Sequence, residues 1–293
     1  MPTAVLVLLL AAVLSILCST VQKRVRSVLE HRPGWIWAVP FLLSGVFCAS
    51  ALLIGAWTPP LTLLALGYTA APVLCVWLAG PGPAERPAVL DFAAILLLWL
   101  PLEFAAGAGL VPRPAQGYLH RVAYGIAILL GLLLFLGNRS FPGMKFNLPR
   151  SARDVWLPLA GFAVSAPVLI ALGISIGFLP PAHRPTQSAG AMASAVGVIF
   201  FGTALPEEIL FRSLIQNLLM LRFGSGWRTL VAASFIFGAA HLDNGPQALP
   251  NWRYMILATV AGLIYGRVFQ SSSSVVSSAG LHAAVNTLRH TFF

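Results

Sequence analysis

Charge is what this chain has least of. Asp, Glu, Lys and Arg make up 9% of its 293 residues, and only eight residues are acidic. Soluble domains carry about 25% charged residues, so the composition excludes an ordinary water-facing surface. Cysteine is scarce too. Cys18, Cys48 and Cys75 lie in apolar runs at unrelated spacings; no metal or redox motif emerges from them, and they read as small buried hydrophobes. No basic residue precedes the first apolar run, Pro2 to Thr20, and the charges follow it at Lys23, Arg24 and Arg26. A secretory signal has the reverse order, so an uncleaved first helix with its N-terminus outside is expected. Leu17 before Cys18 argues against lipoprotein-type processing. Internal repeats and low-complexity tracts are absent apart from Ser271–Ser274, which reads as a polar loop between two helices.

What the chain has in excess is apolar residues, 58% of the total, with a mean hydropathy of +0.85. Apolar segments of about 20 residues, the length that spans a bilayer, recur along nearly the whole sequence. Spanning backbone must satisfy its own hydrogen bonds, which selects helices. The expected fold is an all-α polytopic transmembrane bundle of about eight to ten spans, with the site in a membrane-embedded cavity of the C-terminal helices. Candidate helices run over 35–57, 61–79, 88–111, 122–136, 155–179, 190–221, 229–241, 254–269 and 275–290. Threading them from an outside N-terminus puts twelve Lys and Arg inside and five outside, with Arg212 in the membrane. That asymmetry fits the positive-inside rule, so the net charge of +10 needs no nucleic acid. The basic loop from Arg139 to Asp154 reads as one of these inside loops, and Asp91 as an interfacial residue near a membrane edge. Glu103, after Pro101, lies deeper and is assigned no role.

The 190–221 run contains the sequence Leu205-Pro206-Glu207-Glu208-Ile209-Leu210-Phe211-Arg212. Each intramembrane charge costs about 2.5–3.5 kcal/mol even on lenient insertion scales, so these three must be paired, hydrated or functional. Glu208 and Arg212 are four apart and share a helix face. Glu207 is rotated by ~100° from Glu208 and is left as the spare carboxylate. Pro206 lacks an N–H and clashes one turn back, which predicts a kink beside the acid. Two later helices carry polar pairs at one-turn spacing, Phe237 with His241 and His282 with Asn286. Counted from the nearest loop charge or serine, Glu207, His241 and His282 lie ~16–22 Å along their helices, and Asn286 ~6 Å beyond His282. All four can meet at one level of the bilayer.

A buried carboxylate beside imidazoles suits general-base chemistry. Glu207 would deprotonate a water held between it and His241. The Asn286 amide and a His282 N–H are the donors available to a developing oxyanion. No Ser or Cys has a similar claim as nucleophile. Zinc is the competing account, since His and Glu suit it, but it is not favoured: there is no His-Glu-x-x-His run, and the histidines sit on separate helices. The bland reading is a salt bridge that merely holds the bundle together.

The ordered set Glu207-Glu208-x-x-x-Arg212, Phe237-x-x-x-His241 and His282-x-x-x-Asn286 resembles the three motifs of the CAAX protease and bacteriocin-processing (CPBP, abortive-infection) family, which includes the Ras-converting CAAX prenyl endopeptidase. The likeness covers about Gly190 to Arg289, which divides the chain into variable N-terminal helices at 1–187 and a catalytic helical core at 188–293. The resemblance implies an intramembrane endopeptidase, with Glu207 and His241 activating water and His282 and Asn286 forming the oxyanion site. Glu208, Arg212 and Phe237 would support them. The partners it implies are the lipid bilayer and a peptide or prenylated-protein substrate. The expected location is the cytoplasmic membrane of a bacterium, with the cavity opening toward the cytoplasm and no cofactor required. Two other functions compete. One is a non-catalytic scaffold or bacteriocin-immunity protein that binds a partner peptide through the same cavity. The other, a proton-coupled transporter, lacks the repeated acidic motif that symmetric architectures show. Substrate identity and oligomeric state are left open.

Overall fold

The computed structural model describes residues 2–80, 82–185, 188–245 and 248–293; Gln187, the last residue of the expected N-terminal segment, lies outside them. The described residues form helices and no strand. Among the described residues, five helical segments are long and apolar enough to cross a membrane, or up to six counting one bent pair. The chain is therefore an integral, multi-pass membrane protein built as a helical bundle. The count falls below the eight to ten spans expected. Helices such as Val89–Glu103 and Trp227–Ala239 are short, and the last two carry Arg253, Arg267, His282, Asn286 and Arg289, which dilute their hydropathy.

The chain packs as two compact units, 2–142 and 143–293. The first unit holds α1 (Pro2–Ser15), α2 (Ser19–His31), α3 (Ala38–Leu53), α4 (Pro59–Ala79), α5 (Val89–Glu103) and α6 (Arg113–Leu132), the last continued by a π-helical turn to Asn138. The basic segment after the first apolar run is not a loop. It is α2, turned 87° from α1, with Lys23, Arg24 and Glu30 exposed and Leu29 buried. Arg26 Nη2 donates to the Leu136 carbonyl at 3.3 Å.

Asp91 stands in the first turn of α5. It is fully buried, forms a bidentate pair with Arg139 at 2.9 and 3.0 Å, and caps α5 by accepting from Ala88 N at 2.8 Å. Arg139 also donates to the Gly80 carbonyl and lies over the Phe141 ring. An aspartate and an arginine that look like separate membrane-edge charges thus make one buried pair, which lowers the cost of both. Trp99 Nε1 donates to Glu103 at 2.7 Å.

The second unit holds α7 (Arg153–Ser175), α8 (Ala189–Ile199), α9 (Leu205–Glu208), α10 (Asn217–Phe223), α11 (Trp227–Ala239), α12 (Trp252–Ser271) and α13 (Val275–Phe292). α7 precedes residue 188 yet packs on α12 and α13. Gly161 faces Leu281 and Val268 there, where a Cβ would come within 2.7 and 3.1 Å. α8, α9 and α10 are joined through π-helical turns at Phe200–Ala204 and Ile209–Gln216 into one 34-residue helix, Gly190–Phe223. The disruption expected at Pro206 takes this form. A wider turn before the proline loosens the hydrogen-bond ladder that the ring would otherwise break.

The turn between α12 and α13 is pinned from two sides. Asp154, at the start of α7, accepts from Ser273 N and Ser273 Oγ, each at 2.6 Å, and from Arg150 N and Ser151 N. Lys145 Nζ donates to the carbonyls of Phe269, Gln270 and Ser272 at 2.7, 3.1 and 2.8 Å, closing the C-terminus of α12 with a cation as its dipole requires. Burial pushes the Lys145 ammonium below its ordinary pKa, and the Asp154 charge opposes that shift. The basic segment that reads as a plain inside loop is therefore a clamp, with Met144 and Phe146 buried beside it.

Asp154→Ala leaves several backbone and hydroxyl donors unmatched at about 1–3 kcal/mol each. It is expected to lower the unfolding midpoint of the purified protein in detergent markedly. An unchanged midpoint would remove the clamp from the architecture.

Candidate active site

Four helices meet at one buried ion pair. Glu208 and Arg212 both have 0% exposure, and Arg212 Nε donates to Glu208 Oε2 at 3.1 Å. The pair is the i, i+4 contact expected, formed across the π-helical turn that begins at Ile209. Two further helices attach to it. From α13, His282 Nδ1 lies 3.2 Å from Glu208 Oε1. An ionised carboxylate only accepts, so the imidazole is the donor. From α11, Phe237 lies under the guanidinium, with Arg212 Cζ 4.8 Å from the ring centroid. Gln216 accepts from Arg212 Nη1 at 3.4 Å and donates to the Gly266 carbonyl of α12 at 3.0 Å.

Glu207, one position earlier, points elsewhere. Its side chain is 21% exposed, and its Oε2 lies 3.8 Å from His282 Nε2. That separation is too long for a hydrogen bond. His282 is thus flanked by a carboxylate at each ring nitrogen. Tyr265 stacks on the ring, with centroids 4.8 Å apart and planes at 24°, and Phe237 meets it edge-on.

His241 is held from its own helix. Its Nδ1 lies 2.8 Å from the Phe237 carbonyl, the acceptor that fixes an Nδ1–H tautomer and leaves Nε2 for other partners. Tyr254 of α12 packs edge-on against the ring at 4.6 Å. His241, His282 and Asn286 line a single cavity of about 80 Å³ together with Tyr254, Tyr265 and Arg289. The structure thus brings Phe237, His241, His282 and Asn286 to one cavity wall, with Glu207 and Glu208 against His282 and Arg212 paired to Glu208. Among the described residues, no three His, Cys, Asp or Glu side chains come together in a metal-ligating geometry.

Tyr254, Tyr265 and Arg289 were not singled out in the sequence, although a signal existed. Tyr254 and Tyr265 are eleven residues apart, three helical turns, with Ala258 and Ala261 on the same face also lining the cavity. Arg289 stands seven residues after His282 and three after Asn286. Small residues on α12 set the distance to α11. A Cβ at Gly262 would meet Phe237 and Ser234 at 3.2 Å, and one at Gly238 would lie 2.7 Å from the Met255 carbonyl.

Arg212→Met leaves Glu208 buried without its cation and is expected to cost about 3–5 kcal/mol, read from unfolding in detergent. Combining it with Glu208→Gln removes the uncompensated charge and is expected to recover part of that loss. A double variant as unstable as the sum of the singles would mean that the two side chains are not coupled.

No curated protein and no solved structure is significantly similar to the chain. Residues 189–288, about a third of its length, match the family model described as type II CAAX prenyl endopeptidase Rce1-like. All three motifs lie within that match. Residues 189–288 thus carry an Rce1-like domain, similar to the type II CAAX prenyl endopeptidases.

Proposed function

We propose that residues 188–293 form the catalytic core of an intramembrane endopeptidase. It would hydrolyse a peptide bond near the C-terminus, or in the membrane-proximal part, of a peptide or prenylated-protein substrate. The observation that carries this reading is the pair of adjacent glutamates with different surroundings. Glu208 is spent on Arg212 and His282, whereas Glu207 is partly exposed beside His282. Intramembrane ionisable residues are functional candidates by default, and the Rce1-like match adds the reaction class.

In the proposed mechanism, Glu207 takes a proton from water, and His241 orients that water through Nε2. The hydroxide attacks the substrate carbonyl, and the C–N bond breaks as the proton passes to the leaving amine. The Asn286 amide donates to the oxyanion. His282 is assigned the second position at the oxyanion through Nε2. Tyr265 and Glu208 hold that ring in position. Water activated by Glu207 accounts for the chemistry without a metal. The location proposed with this reading is the cytoplasmic membrane, with the cavity open on the cytoplasmic side.

The test is cleavage of a fluorogenic peptide panel, including a farnesylated CAAX peptide, by purified protein in detergent. Glu207→Gln and His241→Ala are each expected to lower turnover by about 10²–10⁴, and Asn286→Ala by about 10²–10³. A strong zinc chelator is expected to leave the wild-type rate unchanged. Activity lost to chelator and restored by zinc overturns the metal-free route while leaving the site. Cleavage that survives Glu207→Gln removes Glu207 as the base; no cleavage of any peptide, with a cellular phenotype that survives Glu207→Gln, overturns the protease reading in favour of a scaffold.

A further inference from the structure

Arg289 is a cation in the cavity wall that takes part in none of the ion pairs found among the described residues. It lies on the face of α13 that carries His282 and Asn286, seven and three residues earlier, and lines the same cavity. Two aromatic rings hold its guanidinium: Cζ lies 4.8 Å from the Phe178 centroid and 4.9 Å from that of Tyr254, within cation–π range. Those rings come from the segment after α7 and from α12, and they lie 5.0 Å from each other. The head group is thus held between two rings and is half-buried.

Four acidic residues belong to this unit. Asp154 is committed to the Ser273 turn, Glu208 to Arg212 and Glu207 to the face of His282. Asp243 is exposed. Arg289 takes part in none of the ion pairs found among the described residues. Much of the remaining wall is apolar, with Leu169, Leu257, Val285 and Leu288. A planar guanidinium held among hydrocarbon side chains presents a fork that matches a carboxylate bidentately.

We propose that Arg289 is a specificity residue that binds a carboxylate of the substrate, on the side of the cleaved bond that lies toward the C-terminal end of α13. The inference rests on the protease reading above and deepens it. Spacing sets the distance. Arg289 stands ~10 Å along the helix from His282 and ~4–5 Å from Asn286. An extended peptide advances ~3.3 Å per residue, so the carboxylate lies within about three residues of the bond held beside His282. Two groups on a peptide offer that chemistry: the free chain terminus and an Asp or Glu side chain.

The experiment uses the full chain in detergent and three pools of N-terminally labelled randomised octapeptides. One pool ends in the free acid, one in the amide, and one in the amide with Glu at the last position. Binding is read by fluorescence anisotropy and cleavage by mass spectrometry, on wild type, Arg289→Gln and Arg289→Lys. Size-exclusion profiles identify any variant that fails to fold, and Arg289→Lys supplies the test if Arg289→Gln does. Wild type is expected to bind the acid pool about 10-fold or more tighter than the amide pool, as a charge-assisted contact gives. Arg289→Gln is expected to bring that ratio close to one, and Arg289→Lys to restore part of it. A Glu-amide pool that binds as the acid pool does identifies a side chain as the source; one that binds as the plain amide identifies the chain terminus. Equal binding of acid and amide by wild type, a preference that survives Arg289→Gln, or no binding of any pool overturns the proposal. Cleavage without acid preference leaves the protease and removes the role of Arg289. An Arg289-dependent preference without cleavage of any pool keeps the carboxylate site and removes the protease.

Discussion

Residues 143–293 are organised around one ion pair closed off from water. Glu208 and Arg212 have no exposed surface, and neither charge could stay in that place without the other. The pair also recruits neighbours to complete its hydrogen bonding and packing: His282 on the carboxylate, Gln216 and the Phe237 face on the guanidinium. Those neighbours reach from α13, from the following turn of the same helix and from α11, and Gln216 continues to the α12 backbone. Hydrophobic packing between apolar helices in lipid gains little from the solvent, so polar contacts of this kind carry much of the specificity of the arrangement. The position of His282 relative to Glu207 follows from where Glu208 holds it.

The backbone makes room for this pair in three ways. Glycines at 238 and 262 let α11 and α12 approach until a methyl group would clash, bringing Phe237 and Tyr265 to within 6.2 Å of each other. π-helical turns on both sides of Leu205–Glu208 absorb Pro206 and re-aim the residues after it, a common device at functional sites. Lys145 and Asp154 fix the α12–α13 turn from outside the span. Since α13 starts from that turn, a shift there would carry His282 and Asn286 with it.

Much of the site was legible because its residues come in pairs one helical turn apart, and that spacing is local. Glu208 with Arg212, Phe237 with His241 and His282 with Asn286 each announce a shared face. The helical, membrane-embedded class was legible from the length and apolarity of the runs. What escaped were pairings between distant residues. Asp91 and Arg139 are 48 apart, and Asp154 and Ser273 are 119 apart. A lone charge near the end of an apolar run reads as a loop charge under the positive-inside rule, and nothing local marks it as buried. The same reasoning turned α2 into a loop, since its basic residues hid its helical period. Tyr254 and Tyr265 escaped for a different reason: tyrosine is common at membrane interfaces, so its presence on an apolar helix raised no conflict to resolve.

In the proposed reaction, adjacent glutamates with different surroundings let one membrane site be both stable and reactive. A carboxylate used in chemistry must change charge, so it cannot also be the anchor of a buried pair. Doing so would strip Arg212 of its partner at each turnover. The ~100° step between successive helix residues separates the two duties. Glu208 turns inward to Arg212, whereas the Glu207 side chain keeps part of its surface open beside His282. His282 lies against both carboxylates, one at each ring nitrogen. A single carboxylate in this span would have to do both tasks, and the low dielectric that makes the ion pair strong would then oppose each protonation step. Two carboxylates in sequence, on faces set by the helix alone, remove that conflict.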